Sequence, residues 1–276
     1  MKKLIKYLTL ILFFLISIYY TEQSMSTLRL NDPILNEIKN NLDKYKIQPV
    51  NAIIEDNNIT PGKNGQEVDI KKTYKEMIKY GSYNEALTKI KEIEPEVSLN
   101  NNKDKYIKLT NNKNKQVSLL LIINSKQNIN NIINILEKNN VTATLYIEKN
   151  FIEDNISFLK ETNQKIGLLF EDKKLFNINK TYLEKIINNK INYCYSETEN
   201  EEVLTTCKKN NMYTIIPSKV IKNNLYKNVK SSIKNSPIIS IYQNKYTEKE
   251  LNSTIKFLKK KAYRFYDLDT LLSENT

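Results

Sequence analysis

The sequence predicts an α/β fold. Short apolar runs recur at 117–123, 141–147, 165–170, 191–195, 212–216, 237–242 and 262–267. Segments with helical periodicity fill the gaps; Ile129, Ile132, Ile133 and Leu136 are spaced to share one helical face. Strand alternating with helix argues for parallel strands joined by right-handed crossovers, in a layer or a barrel. In a barrel of that kind the strand ends converge on one face, where a site can form.

The elements are read in chain order. "MKKLIKYLTLILFFLISIYYTEQ" places Lys2, Lys3 and Lys6 before an apolar stretch from Tyr7 to Tyr20. Basic residues before an apolar segment keep the amino terminus inside and send the rest outward. No small-x-small cleavage site follows, so a signal-anchor is expected over residues 1–25, with membrane contact through residues 4–20; a cleaved signal peptide is the alternative. Either places residues 26–276 outside the cell. Residues 26–45 read as a polar helical stalk. Residues 46–115 read as a small α+β region: a short strand at 50–54, turns at Asn57-Asn58 and around Gly62 and Gly65, then a helix after Asp69 with Tyr74, Met77 and Ile78 on one face. Residues 116–276 carry the strand–helix rhythm. "NNVTATLYI" within it is a β-branched strand, and "STIKFLKKKAYRFYDLDTLLSE" repeats helix and strand at the end.

Composition narrows the chemistry. The chain has 276 residues, a formal charge of +12 and no histidine. Without histidine there is no Ser-His or Cys-His nucleophile pair and no His-containing zinc site, so acid/base chemistry falls to carboxylates, Tyr or Lys. The positive charge fits an anionic partner, or simply a Lys-, Asn- and Ile-rich composition. The lysines are scattered and no Arg-rich or Gly-rich recognition segment occurs, so no nucleic-acid partner is expected. Cys194 and Cys207 are 207 − 194 = 13 residues apart. Outside the membrane they could form one disulfide, or remain two buried thiols.

Several local words, in order, resemble the polysaccharide deacetylase family, also called the NodB homology domain. The family opens on Val-x-Leu-Thr-Phe-Asp-Asp-Gly, where this chain has Val117 to Asn124. "ILEKNNVTATLYI", Ile135 to Ile147, takes the place of "ILKKYNVKATFFV". Lys165-Ile166-Gly167-Leu168-Leu169 stands for "EIGNH", and Ile238-Ile239-Ser240-Ile241-Tyr242 for "IILMH". Ala262 to Leu272 matches "GYxFVxLxxLL". Residues 46–110 are similar to a region that precedes this domain in envelope proteins of low-GC Gram-positive bacteria.

The resemblance implies a degenerate (β/α) barrel of the polysaccharide deacetylase type. In that family one Asp and two His hold a divalent metal, a second Asp is the base and a late His the acid. The metal activates water and polarises the acetamide carbonyl. Position by position, the two Asp fall on Ile122 and Ile123, the first metal His on Leu169, the second near Lys173, and the late His on Tyr242. Isoleucine cannot ligate a metal and an ammonium repels one, so neither metal nor other cofactor is expected.

The remaining candidates are weighed beside that reading. Glu171, Asp172, Glu197 and Glu199 follow the third and fourth strands of the barrel and are the fallback carboxylates for a rearranged hydrolase or deacetylase. Glu197 and Glu199 also suit the first turn of the helix that follows. Ser196 has no histidine partner. Tyr195 and Tyr242 stand at strand ends and, with Glu197 and Lys173, could line a glycan groove, or the tyrosines could only fill a vacated barrel mouth. Lys173 and Lys245 could face an anionic polymer, or solvent. The expectation is a single-pass cell-membrane protein whose extracellular barrel binds a cell-envelope glycan, an anionic wall polymer or an envelope protein without catalysis. A carbohydrate-active enzyme and a structural spacer are the alternatives.

Overall fold

The computed structural model describes residues 11–20, 32–111, 115–233 and 237–275. The chain divides into two compact units, one made of residues up to Pro49 with Asn64–Glu94, the other of Val50–Lys63 with Pro95–Asn275. The expected boundary between 115 and 116 therefore lies inside the larger unit. Residues 11–20 are helical. No helix among the described residues is long and apolar enough to cross a membrane, and the expected span over 4–20 lies partly outside them.

In the smaller unit, helix Pro33–Asn40 starts at Asp32, whose carboxylate accepts hydrogen bonds from the Ile34 and Leu35 amides at 2.8 and 3.2 Å. Ile38 of that helix is buried with Val68 and Met77. The polar helical stalk expected over 26–45 is helical over Pro33–Asn40, but one of its faces carries Ile38 into the core of the smaller unit; residues 26–31 lie outside the described ones. Helix Ile70–Tyr80 begins at Asp69 and ends on Gly81, whose φ of 88° closes it in the left-handed region. Met77 is fully buried, whereas Ile78, expected on the same face, is 48% exposed.

The larger unit holds two sheets. The first strands in the chain, β1 (Ile53–Glu55) and β2 (Asn58–Thr60), form an antiparallel hairpin. The smaller unit holds β3 (Gly65–Val68) and β4 (Ile90–Ile93), also antiparallel. There follow β5 (Tyr106–Ile107), β6 (Gln116–Ile123), β7 (Thr144–Ile147), β8 (Lys165–Leu168), β9 (Tyr193–Tyr195), β10 (Tyr213–Ile215), β11 (Lys219–Ile221), β12 (Ile238–Tyr242) and β13 (Arg264–Phe265). One sheet runs β11-β12-β6-β7-β8, with β13 also on β6; the other runs β1-β2-β5-β10-β9. Apart from the β1–β2 hairpin, every pairing in these two sheets is parallel. The expected barrel is thus two arcs rather than one closed ladder, and its second arc recruits β1, β2 and β5 from before residue 116.

Residue parity decides what each strand faces. On β6, Val117, Leu119, Leu121 and Ile123 pack into the layer under the helices, while Leu120 and Ile122 pack into the core between the arcs. Register carries this across the sheet: Tyr242, Ile122, Tyr146 and Gly167 form one row on β12, β6, β7 and β8. The inner core also takes Ile59, Ile107, Tyr195 and Ile215 from the second arc. Helix Leu268–Leu271 adds Leu268 and Leu271 to it. The Glu274 carboxylate then accepts from the Gly62 and Leu99 amides at 2.7 and 2.9 Å. Cys194 on β9 is bonded to Cys207 in helix Glu201–Lys209, their Cα atoms 6.2 Å apart, which fastens that helix to its strand.

Gly167 occupies the inner row beside Tyr146. A Cβ built there would sit 2.6 Å from the Tyr146 ring, and that ring is fully buried. Gly167→Ala is expected to lower stability by about 1–3 kcal/mol through overpacking; urea unfolding of both proteins measures this, and an unchanged midpoint would contradict it.

Candidate functional site at the barrel mouth

The carboxyl ends of β7, β8, β9 and β12 surround a cavity of about 310 Å³, lined among others by Glu148, Leu169, Glu171, Tyr195, Glu197 and Tyr242. This is the end of a parallel sheet where loops can bring functional groups together. Parity turns Ile122, the register partner of the cavity-lining Tyr242, into the core between the arcs and takes Ile123 the other way: Ile123 is paired with Ile147, which is paired with Leu168, and all three are buried under the helices. The two positions expected to replace paired carboxylates thus face opposite sides of the sheet.

Tyr242 is half-buried and its hydroxyl donates to the Glu197 carboxylate. Glu197 also accepts from Lys222, at 3.1 Å. The Lys222 ammonium lies 4.9 Å from the centre of the Tyr242 ring, within cation–π range. The mouth therefore carries its own cation beside its main carboxylate. Burial works to raise the Glu197 pKa, but the Tyr242 hydrogen bond and the Lys222 ammonium outweigh it and hold the group below the usual carboxylate range. Burial, and then the bond to Glu197, push the Tyr242 phenol well up. The buried Tyr195 is hydrogen-bonded to Ser240, with 3.0 Å between the oxygens, and its ring lies 5.2 Å from that of Tyr146.

Of the other fallback carboxylates only Glu171 shares the cavity. Glu171 lines the cavity and accepts from the Lys149 amide at 2.9 Å. Asp172 accepts from the Lys174 amide at 2.6 Å as the cap of helix Lys173–Ile187, so its oxygen is used in starting that helix. Glu199 pairs with Lys108 at 2.7 Å and is exposed. Lys173, expected in the groove, is the exposed first residue of its helix and does not line the cavity, because the cap turns the chain outward there. The Ser196 hydroxyl donates to the Thr198 carbonyl at 2.6 Å. Tyr195, Glu197, Tyr242 and Glu171 are the candidates brought together, with Leu169 beside them in the cavity lining.

Sequence reasoning missed Lys222 and Gln243. The amide of Gln243 donates to the Ile122 carbonyl at 3.0 Å. Its side-chain oxygen accepts from the Asn124 and Ser125 amides at 3.3 and 3.2 Å, and its side-chain nitrogen donates to the Gln127 carbonyl at 2.6 Å. This buried amide therefore ties down the loop after β6. Only its position next to Tyr242 could have drawn notice. Lys222 had no sequence signal, since it follows a three-residue strand that the apolar runs did not reveal.

The residues present do not fit a divalent metal. Ile122, Leu169 and Tyr242 offer no carboxylate or imidazole, Ile123 points elsewhere, and no group of three or more Asp, Glu, His or Cys residues that could hold a metal occurs among the described residues. A pair of carboxylates acting on a glycosidic bond requires one with a raised pKa as the acid. Glu197 moves the opposite way, and two donors already engage it.

No protein-family model matches the chain. A curated relative, the uncharacterized protein YlxY of Bacillus subtilis (strain 168), is 26% identical over 132 residues, which are 47% of this chain and 41% of the relative. The chain thus spans well under half of that relative's length. Among solved structures, wild-type BA3943 from Bacillus anthracis, a CE4 family pseudoenzyme, superimposes with a TM-score of 0.64 at 23% identity over 89% of this chain and 96% of that one. A BA3943 mutant described as a pseudoenzyme with restored enzymatic activity gives 0.64 at 24% identity, over 88% and 99%. Bacillus subtilis PdaA, a family 4 carbohydrate esterase, gives 0.54 at 17% identity, over 82% and 97%. The fold is that of the CE4 deacetylases.

Tyr242→Phe keeps the ring and removes the hydrogen bond to Glu197. The Glu197 pKa is then expected to rise toward the ordinary carboxylate value. Because the folded pKa is depressed, this group stabilises the protein above the unfolded value of about 4.3, and the contribution is lost as pH falls through the folded pKa. The native protein's advantage over the variant is expected at pH about 7 and shrinks below about pH 4. Urea unfolding at both pH values tests this, and an advantage that persists or grows in acid would contradict it.

Proposed function

We propose that this chain is a deacetylase-like pseudoenzyme that binds a cell-envelope glycan at the barrel mouth without acting on it. The observation that carries the reading is the set of side chains at the inner strand ends. Where a metal-dependent deacetylase needs ligands, this chain places Ile122, Leu169 and Tyr242, and Lys222 neutralises the adjacent carboxylate. What remains is a cavity lined by the Tyr195 and Tyr242 rings, the Glu148, Glu171 and Glu197 carboxylates and the Asn200 amide. Rings with a polar handle suit the apolar faces of sugars, and the amides and carboxylates suit their hydroxyls. The likeness to a CE4 pseudoenzyme supports the same reading at the level of the fold.

Incubation of the full chain with N-acetylated peptidoglycan fragments and added zinc is expected to release no acetate. The same fragments are expected to bind, with Tyr242→Ala weakening binding by about tenfold, roughly the worth of one stacked ring. Acetate release dependent on the protein would overturn the pseudoenzyme reading. Binding unaffected by Tyr242→Ala would move the glycan away from the mouth.

We also propose that residues 1–25 hold the chain at the outer face of a cell membrane, on the basic-then-apolar order of that segment. In fractionated cells the chain is expected with the membranes, and externally added protease is expected to digest residues 26–276. Protection of that segment in intact cells would contradict the orientation.

A further inference from the structure

We infer that a second surface, away from the mouth, is a docking groove for a linear phosphate-bearing polymer. Helices Leu225–Ser232 and Thr247–Lys260 border an open groove of about 820 Å³. Lys227, Lys249, Lys256, Lys260 and Lys261 line it against a single carboxylate, Glu250. That carboxylate accepts from the Tyr226 amide at 3.0 Å, at the start of the neighbouring helix. All five lysines are exposed, and none has an ion-pair partner among the described residues. The groove therefore gathers five ammonium groups around one carboxylate that already accepts a backbone hydrogen bond.

The spacing favours an extended ligand. Lys249, Lys256 and Lys260 recur at separations of seven and four residues on one helical face. Together they span about 16 Å along the helix axis. Tyr226 and Phe257, with ring centres 5.7 Å apart, contribute the aromatic part of the lining. A compact anion would meet one or two of these ammonium groups, whereas a chain of phosphates can meet them in succession. Lysine is a point-charge phosphate binder that demands no fixed geometry, which suits a flexible polymer. The groove lining includes no arginine, the residue best suited to bidentate reading of base edges. Its concave form also fits a strand better than a flat bilayer. A poly(glycerol phosphate) chain has the required chemistry.

Titration of the full chain with fluorescently labelled poly(glycerol phosphate) tests the inference. Binding is expected to weaken steeply between about 50 and 200 mM salt, as for other polyanions. The triple variant Lys249→Glu, Lys256→Glu, Lys260→Glu is expected to lose at least about tenfold in affinity. The triple glutamine variant at the same positions is expected to show a smaller loss in the same direction. A control with Lys71→Glu, Lys75→Glu and Lys209→Glu carries the same change in net charge and is expected to shift affinity less than about threefold. Equal losses in the two glutamate triples would overturn the proposal in favour of net charge alone. So would absence of polymer binding, or tighter binding to duplex DNA or to anionic vesicles that the groove triple abolishes. Peptidoglycan-fragment binding is measured on the same variants, so failure of the mouth reading and failure of this one are told apart.

Discussion

The structure depends on β6 being buried on both faces. Its side chains alternate between the layer under the helices and the core between the two sheets, and both environments exclude water. A parallel strand in that position can be apolar throughout, because neither face meets solvent. β7, β12 and β13 all take their register from it. Ser118 is the one polar side chain within its buried stretch from Val117 to Ile123. Ionised carboxylates at its carboxyl end would have to be paired with a cation or left at large cost. Isoleucine at 122 and 123 removes that requirement and extends the core to the mouth.

Once the strand end is apolar, the polar groups of the mouth come from its neighbours. β9 supplies Tyr195, the loop after it Glu197, and β12 Tyr242, while Lys222 follows β11. These groups satisfy one another: phenol to carboxylate, carboxylate to ammonium, ammonium over ring. A network of this kind is rigid and self-neutralised. Glu197, its main carboxylate, is held below the usual carboxylate range rather than raised as an acid catalyst requires. The proposed recognition without catalysis rests on this geometry.

Charge is distributed on a different principle. The mouth compensates its lysine with Glu197, whereas the groove along helix Thr247–Lys260 leaves its lysines without carboxylate partners. Uncompensated positive charge on a well-packed helix costs some stability through self-repulsion. Leu251, Ile255 and Leu258 on the opposite face anchor the helix regardless. The two proposed surfaces share no lining residue.

The sequence alone determined the α/β class, the identity of most strands and the absence of histidine chemistry, because strand hydrophobicity and residue type are local properties. It also placed Tyr195 and Tyr242 at strand ends and Glu197 just after the fourth strand of the barrel. It could not tell which side of the sheet Ile122 and Ile123 face, because parity acquires meaning only when both layers are in place. It put Lys173 in the groove and Asp172 among the catalytic candidates, although the helix cap uses Asp172 and turns Lys173 outward. It placed the boundary at residue 115, whereas β1, β2 and β5 complete the second arc by non-local pairing that no local pattern announces. Lys222 and Gln243 became visible only in three dimensions, since a loop lysine and a buried glutamine acquire their roles from partners far away in the chain.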